Sequence, residues 1–293
     1  MIMKYYSLLL FAILFAGFSA HGTIIHVPGN YAQIQSAINA STNGDTILVD
    51  HGVYFENINF RGKNILLAGQ YLFTHDPADI TATVINGSLP LHTDTASCVL
   101  IISGETSAAV LQGFTITKGK GTRWADEHSA GTYREGGGIL VALSSPTIKN
   151  NYIVDNEASD KFNSTSAGGG GIRAGDGNPT ILNNVIIRNT GLYGGGIVLN
   201  FTGVTMKNNI VAQNTGGQDF GGAGIWVNGN GTAAKLIENN TIADNVTIGN
   251  DGGGLLIQSA SVTARNNIIW GNSATTEPQI SVAVPGASLA INF

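Results

Sequence analysis

The sequence predicts an all-β solenoid of about seven or eight stacked coils behind a short N-terminal capping helix, and three observations carry that prediction. Between Gly136 and Asn272, five stretches open with a glycine cluster and an aliphatic residue, ending at Ile139, Ile172, Ile197, Ile225 and Leu255. Each then reaches an Asn pair, at Asn150/Asn151, Asn183/Asn184, Asn208/Asn209, Asn239/Asn240 and Asn266/Asn267, 11 positions on in four copies and 14 in the copy containing Ile225. A further Asn closes each copy six positions after the first, at Asn156, Asn189, Asn214, Asn245 and Asn272. Landmarks kept in step at intervals of 25 to 33 residues mark a repeat whose units bury their apolar faces against one another.

Taken in order, residues 1–20 read as a secretory signal, with Lys4 as the positive flank, Leu8 to Phe15 as the apolar core and Gly17, Ser19 and Ala20 as the cleavage zone. That apolar run is too short to span a bilayer, and there is no second candidate. After the extended IIHVP, Tyr31, Ile34, Ala37 and Ile38 fall on one helical face, which predicts a cap over residues 30–42 that shields the first rung of strands. From Thr46 the pattern changes to short strands, TILV, NINF and NILLA, separated by Gly52, Gly62 and Gly69: three strands with turns, one coil of a triangular solenoid. Gln70 to Ala82 reads as a loop, followed by TVING, CVLIIS and AVLQGFTIT as atypical first coils. Cys98, the single cysteine, lies in an apolar run and reads as a buried, inert thiol.

Within the regular coils the aliphatic residues of the first strand alternate, which points Ile139 and Val141, Ile172 and Ala174, Ile197 and Leu199, Ile225 and Val227, and Leu255 and Ile257 inward. The second strand puts Ile148 and Ile181 inside. Each Asn pair makes a tight turn, because Asn tolerates left-handed backbone, and stacked Asn amides can bond along the axis as a ladder. The phrases VPGNYAQIQSAI, GDTILV, GVYFENINF, GKNILLAG, LQGFTI, SSPTIKNN and NNIIWGNS resemble the exported right-handed parallel β-helix proteins of the pectin-lyase-like class, over residues 24–293. The resemblance implies one right-handed parallel β-helix domain and an exported, secreted or cell-surface protein. Its class includes polysaccharide lyases, polygalacturonases, pectin methylesterases and epimerases beside members without assigned activity. The matching phrases are scaffold phrases, so the resemblance implies a fold more than an activity.

Composition narrows the partner. Charged residues are 11% of the chain and the formal charge is −5, which gives no global field for nucleic acid or an anionic membrane. Insertions of 12, 4, 7 and 6 residues follow Asn156, Asn189, Asn214 and Asn245, all entering the first strand and so rising on one side, where repeat proteins build binding faces. Outward positions there are Leu140, Arg173, Val198, Trp226 and Leu256, and in the next ladder Ala142, Gly175, Asn200, Asn228 and Gln258. Trp226 offers a flat face to a sugar, Arg173 a charge, and Asn200, Asn228 and Gln258 amides for hydroxyls, which together predict a saccharide groove. The competing arrangement has the inserts folding over this partly apolar face and burying it.

The densest chemistry is Lys118 to Glu135, KGKGTRWADEHSAGTYRE, preceding the first glycine cluster. Arg123, Asp126, Glu127, His128, Arg134 and Glu135 are its candidate catalytic residues and Trp124 a candidate sugar platform. An Arg or Lys could serve β-elimination as base and carboxylate clamp, and two carboxyl groups could serve glycoside hydrolysis; a solvated loop stapled by its own ion pairs fits as well. Neither the paired aspartates with HG and RxK of polygalacturonases nor an alignable Asp/Asp/Arg set of the methylesterase kind is present, and no HExxH or CxxC suggests zinc. No cofactor is expected; Asp176, Asp219 and Asp251 sit in glycine-rich bends that could take Ca²⁺ but offer single carboxylates. The expected partner is a polysaccharide or cell-surface glycan bound by a monomer, the alternative being a non-catalytic surface or matrix solenoid acting as spacer or adhesive stalk. ISVAV and SLAINF run to Phe293 with no polar cap, which predicts that the natural chain continues.

Overall fold

A computed structural model describes residues 22–229, 233–283 and 287–292, so the expected secretory segment lies outside the described residues. Three long parallel sheets run the length of the molecule. The first-strand sheet has eight strands: Ile58–Asn59, Val99–Ile101, Ile139–Ala142, Ile172–Gly175, Ile197–Asn200, Ile225–Asn228, Leu255–Gln258 and Ile280–Val282. The second-strand sheet has ten, from Ile24–Val27 to Ser288–Asn292, and the third eight, from Gly52–Tyr54 to Ile268–Trp270. Register is strict: Ile139 pairs with Ile172, Ile172 with Ile197, Ile197 with Ile225 and Ile225 with Leu255. Every aliphatic residue expected to point inward is fully buried, from Ile139 and Val141 through Ile148 and Ile181 to Leu255 and Ile257.

The Asn landmarks do two jobs. The first of each pair, Asn150, Asn183, Asn208, Asn239 and Asn266, has φ between 50° and 56° and turns the chain. The second, buried in all but the last copy, where Asn267 is half-buried, forms the ladder: the Asn151 amide donates to the Asn184 Oδ1 at 3.1 Å, Asn184 to Asn209 at 3.0 Å, Asn209 to Asn240 at 2.9 Å and Asn240 to Asn267 at 3.0 Å. The closing Asn residues stack likewise from Asn156 through Asn272, whose amide finishes on Gln279 Oε1 at 2.9 Å. Each rung is fully satisfied. Asn214, for example, donates to the Ile186 carbonyl and to Asn245, and its Oδ1 accepts from the backbone N–H and amide of Asn189. The glycine clusters answer a different demand. Gly169 takes a φ of 64°, and a Cβ on Gly171 would stand 2.5 Å from the Gly196 carbonyl oxygen of the next coil.

The N-terminal helix is shorter than the pattern suggested. It spans Ile34–Ala40, buries Ile34, Ala37 and Ile38, and leaves Tyr31 exposed in the preceding turn. Glu56 starts it from outside, accepting the Ile34 and Gln35 backbone N–H groups at 2.8 and 2.9 Å, the donors a helix N-terminus leaves unpaired. The stretch expected as a loop after Gln70 holds two short helices, Tyr71–Thr74 and Pro77–Ala82; Asp76 caps the second through the Ala78 N–H at 2.9 Å, with Pro77 in the first turn. Cys98 is buried, and burial pushes its thiol up to about 12, as an inert core residue requires.

Candidate functional site: a cleft beneath an inserted hairpin

The Lys118 to Glu135 insert is a β-hairpin, not a loop. Gly121–Ala125 pairs antiparallel with Thr132–Glu135, and Thr95–Ala96 and Ala167–Gly168 flank them to make a four-stranded sheet. Its turn is fixed by Asp126, whose Oδ1 accepts the backbone N–H groups of His128 at 2.9 Å and Ala130 at 3.3 Å, with Ser129 at φ 62°. Because strand residues alternate faces and directly paired residues share one, Glu135, Trp124 and Tyr133 lie on one side while Arg123 and Arg134 lie on the other.

That alternation splits the predicted site. Arg123 is exposed and donates from Nε to the Asn163 carbonyl at 2.9 Å. Arg134 is buried as a staple, donating from Nη1 to the carbonyls of Thr93 at 2.7 Å and Gly121 at 3.1 Å, with Asp94 at 3.3 Å from Nη2. It lines a separate depression with Lys120 and Glu157, so neither arginine of the hairpin stands beside the carboxylates as sequence proximity suggested.

The other face closes over the first-strand sheet. All five outward positions expected to form the groove floor, Leu140, Arg173, Val198, Trp226 and Leu256, are buried, Arg173 at 0% and Trp226 at 7% exposure. Arg173 therefore faces no open groove. Its Nη2 and Nη1 meet Glu127 Oε2 and Oε1 at 2.8 and 3.1 Å, and its Nε lies 2.8 Å from Glu135 Oε2. The last contact is an ion pair without hydrogen-bond geometry, which leaves both atoms unbonded in the interior. Glu135 Oε1 accepts from the Tyr193 hydroxyl at 2.6 Å, and Glu127 Oε1 from the Trp124 indole at 2.8 Å.

One guanidinium thus serves two carboxyl groups of different character. Burial pushes Glu135 above the usual carboxylate range, more than Arg173 and the Tyr193 hydroxyl pull it down. Burial works against the Glu127 carboxylate too, but the two bonds from Arg173 outweigh it and hold Glu127 below that range. Burial also raises the Tyr193 hydroxyl, with the Glu135 charge adding to it. Burial alone would lower Arg173, yet Glu135 and Glu127 together raise it.

Beside this triad the hairpin leaves a cleft of about 160 Å³. Of the candidate residues, Asp126, Glu135, Asn200, Trp226, Asn228 and Gln258 line it, together with Tyr133, Tyr193, Phe201 and Phe220. Glu127, Trp124 and Arg173 form the packed layer behind it, and His128 sits at the edge, stacked on Phe201 with centroids 3.8 Å apart and Nε2 2.9 Å from Asp176 Oδ1. The aromatic residues make a nest: Tyr193 meets Tyr133, Phe220 and Trp226 edge to face at 6.2, 5.2 and 5.2 Å. The amides form a relay, Asn228 donating to Asn200 Oδ1 and Asn200 to Asp126 Oδ2, each at 3.0 Å, while the Trp226 indole donates to Gln258 Oε1 at 3.1 Å. Tyr193 and Phe220 were missed in the sequence although each immediately precedes a glycine that opens a cluster, Gly194 and Gly221.

The three aspartates weighed for Ca²⁺ have protein partners: His128 for Asp176, Lys161 and Ser166 for Asp219, Thr276 for Asp251. Among the described residues no group of three or more His, Cys, Asp or Glu could hold a metal ion, and no helix is long and apolar enough to cross a membrane.

Residues 18–284 match the family described as right handed beta helix region, which is most of the chain. The chain belongs to the right-handed β-helix family. No curated protein matches it. Among solved structures it is similar to a pectin methylesterase mutant in complex with a hexasaccharide, with a TM-score of 0.50, 12% identity and coverage of 86% of this chain and 80% of that one. It is similar also to the pectin methylesterase from carrot, with a TM-score of 0.50, 11% identity and coverage of 92% and 88%. At these identities the likeness is one of fold.

Proposed function

We propose that this β-helix is an exported carbohydrate-binding protein that holds a sugar unit of a polysaccharide in the cleft between the inserted hairpin and the first-strand sheet. The observation that carries the reading is the lining itself, in which Tyr133, Tyr193, Phe220 and Trp226 supply ring surface and Asn200, Asn228 and Gln258 supply amides. Sugar recognition needs that combination, apolar contact for the C–H face of a ring and paired donors and acceptors for its hydroxyls. The size of the cleft, about 160 Å³ against roughly 300–1,000 Å³ for typical ligand sites, suits a single ring or a chain end rather than a long segment. Four other depressions are larger, about 310, 350, 260 and 400 Å³, but none has a comparable aromatic wall.

Binding rather than turnover is favoured by how the carboxyl groups are used. Glu135, the one whose proton affinity is raised, has its oxygens at the Tyr193 hydroxyl and the Arg173 guanidinium, which leaves no oxygen free to protonate a glycosidic oxygen. The test is a glycan array with the parent and with Trp226→Ala, Asn228→Ala and Gln258→Ala, each checked for folding by its thermal transition. One polymer should bind, at least tenfold more weakly in the folded variants; about 1.4 kcal/mol is that tenfold. Incubating the bound polymer while following new reducing or unsaturated ends separates a binder from a hydrolase or lyase. Equal binding by all variants would move the site elsewhere.

A further inference from the structure

The cleft has a charge as well as a shape. Its lining holds two acidic side chains, Asp126 and Glu135, and no Lys or Arg. The one cation built against it, Arg173, is fully buried and already shared by Glu127 and Glu135. Counting Asp126, Glu127 and Glu135 against Arg173, the local balance is −2 with all three carboxyl groups ionised and −1 with Glu135 protonated. Glu135 also lines the cleft, at 3% exposure, with its Oε2 in charge contact with Arg173 Nε at 2.8 Å but without a hydrogen bond. The walls add five aromatic rings, a ring type whose face attracts a cation electrostatically.

An anionic sugar fits this poorly. A carboxylate placed beside Asp126 would meet like-charge repulsion in a site partly shielded from water. An ammonium is complementary on every count. It brings charge to the carboxylates, N–H donors to oxygens that can accept, and a cation to the rings.

Resting on the saccharide-binding reading above, we infer that the cleft selects an amino sugar with a free, protonated amine, its ring against Trp226 and Tyr133 and its ammonium toward Asp126 and Glu135. Asn228 and Gln258 then take ring hydroxyls. A polyuronate is the wrong sign for this cleft.

The experiment is calorimetric titration of the full mature chain at 150 mM salt with three hexamers: glucosamine, its N-acetylated counterpart and galacturonate. A neutral glucose hexamer and polylysine serve as controls, and Asp126→Asn and Glu135→Gln as variants, each confirmed folded by a cooperative thermal transition above the titration temperature. The expected result is tenfold or tighter binding of the glucosamine hexamer over the acetylated and galacturonate hexamers. That ratio should fall at least fivefold in Asp126→Asn or Glu135→Gln. Equal or tighter binding of the acetylated, neutral or galacturonate hexamer overturns the amine inference while leaving a saccharide site standing. A glucosamine preference that polylysine competes away and both variants retain overturns it too, as general attraction to an acidic surface. Binding of no hexamer sinks the saccharide reading with it.

Discussion

At the scale of single residues, the solenoid depends on buried amides more than a protein of this hydrophobicity requires. Asn214 illustrates why. Its Nδ2 bridges the Ile186 carbonyl and the Asn245 amide, and its Oδ1 takes two donors from Asn189. Asn214→Ala leaves the Ile186 carbonyl, the Asn245 oxygen and the Asn189 donors each short of a partner in the interior, at about 1–3 kcal/mol for each group left unsatisfied. The expected loss is about 3 kcal/mol or more in urea unfolding, with Gln218→Ala, an exposed side chain, within about 0.5 kcal/mol of the parent. Asn residues were legible as scaffold because turn chemistry and ladder chemistry both call for Asn at fixed spacing. The positive φ of Asp155, Arg188, Gln213 and Asp244, each just before a closing Asn, was not, since nothing in those side chains signals it.

At the scale of the element, the hairpin over the first-strand sheet is where reading by residue type went furthest astray. Its acids, bases and aromatics were grouped because they are close in sequence, but the alternation of paired strands sends Glu135 and Arg134 to opposite sides. Arg173, expected in an open groove, is the post on which the hairpin is fastened; the competing arrangement, inserts folded over the face, is the one adopted there. The two carboxyl groups on that post should respond oppositely to pH. Glu135 has a folded-state pKa above its ordinary 4.5, so the folded protein binds more protons than the unfolded one, and stability falls as pH rises from 4.5 through the folded value. Glu135→Gln removes that loss, so the variant gains on the parent with rising pH. Glu127 lies below 4.5 when folded, so its contribution is full above 4.5 and fades as pH falls through the folded value. Glu127→Gln should therefore lose ground to the parent with rising pH. Urea midpoints from pH 3.5 to 7 read both slopes, and equal slopes for the two variants would contradict the assignment.

At the scale of the whole molecule, the repeat supplies the floor of the cleft and one inserted hairpin covers it. The core was legible because side-chain alternation and glycine spacing report directly on burial in a stacked coil, as Ile172, Ile197 and Ile225 show in register. The cleft was half legible: Asn200, Trp226, Asn228 and Gln258 follow from alternation, whereas Tyr193 and Phe220 arrive from turns whose path no periodicity sets. At 12% identity the likeness to pectin methylesterases is one of fold, so the proposed binding role rests on the residues of this cleft alone. The most direct test of the proposed saccharide site is amide hydrogen exchange of the protein with and without a glycan selected on the array. Protection is expected in Gly121–Ala125, Thr132–Glu135, Ile197–Asn200 and Ile225–Asn228, the strands that frame the cleft. Protection confined to the depression around Leu89 and Leu91 beside the N-terminal cap, with none in the hairpin, would contradict the assignment of the site.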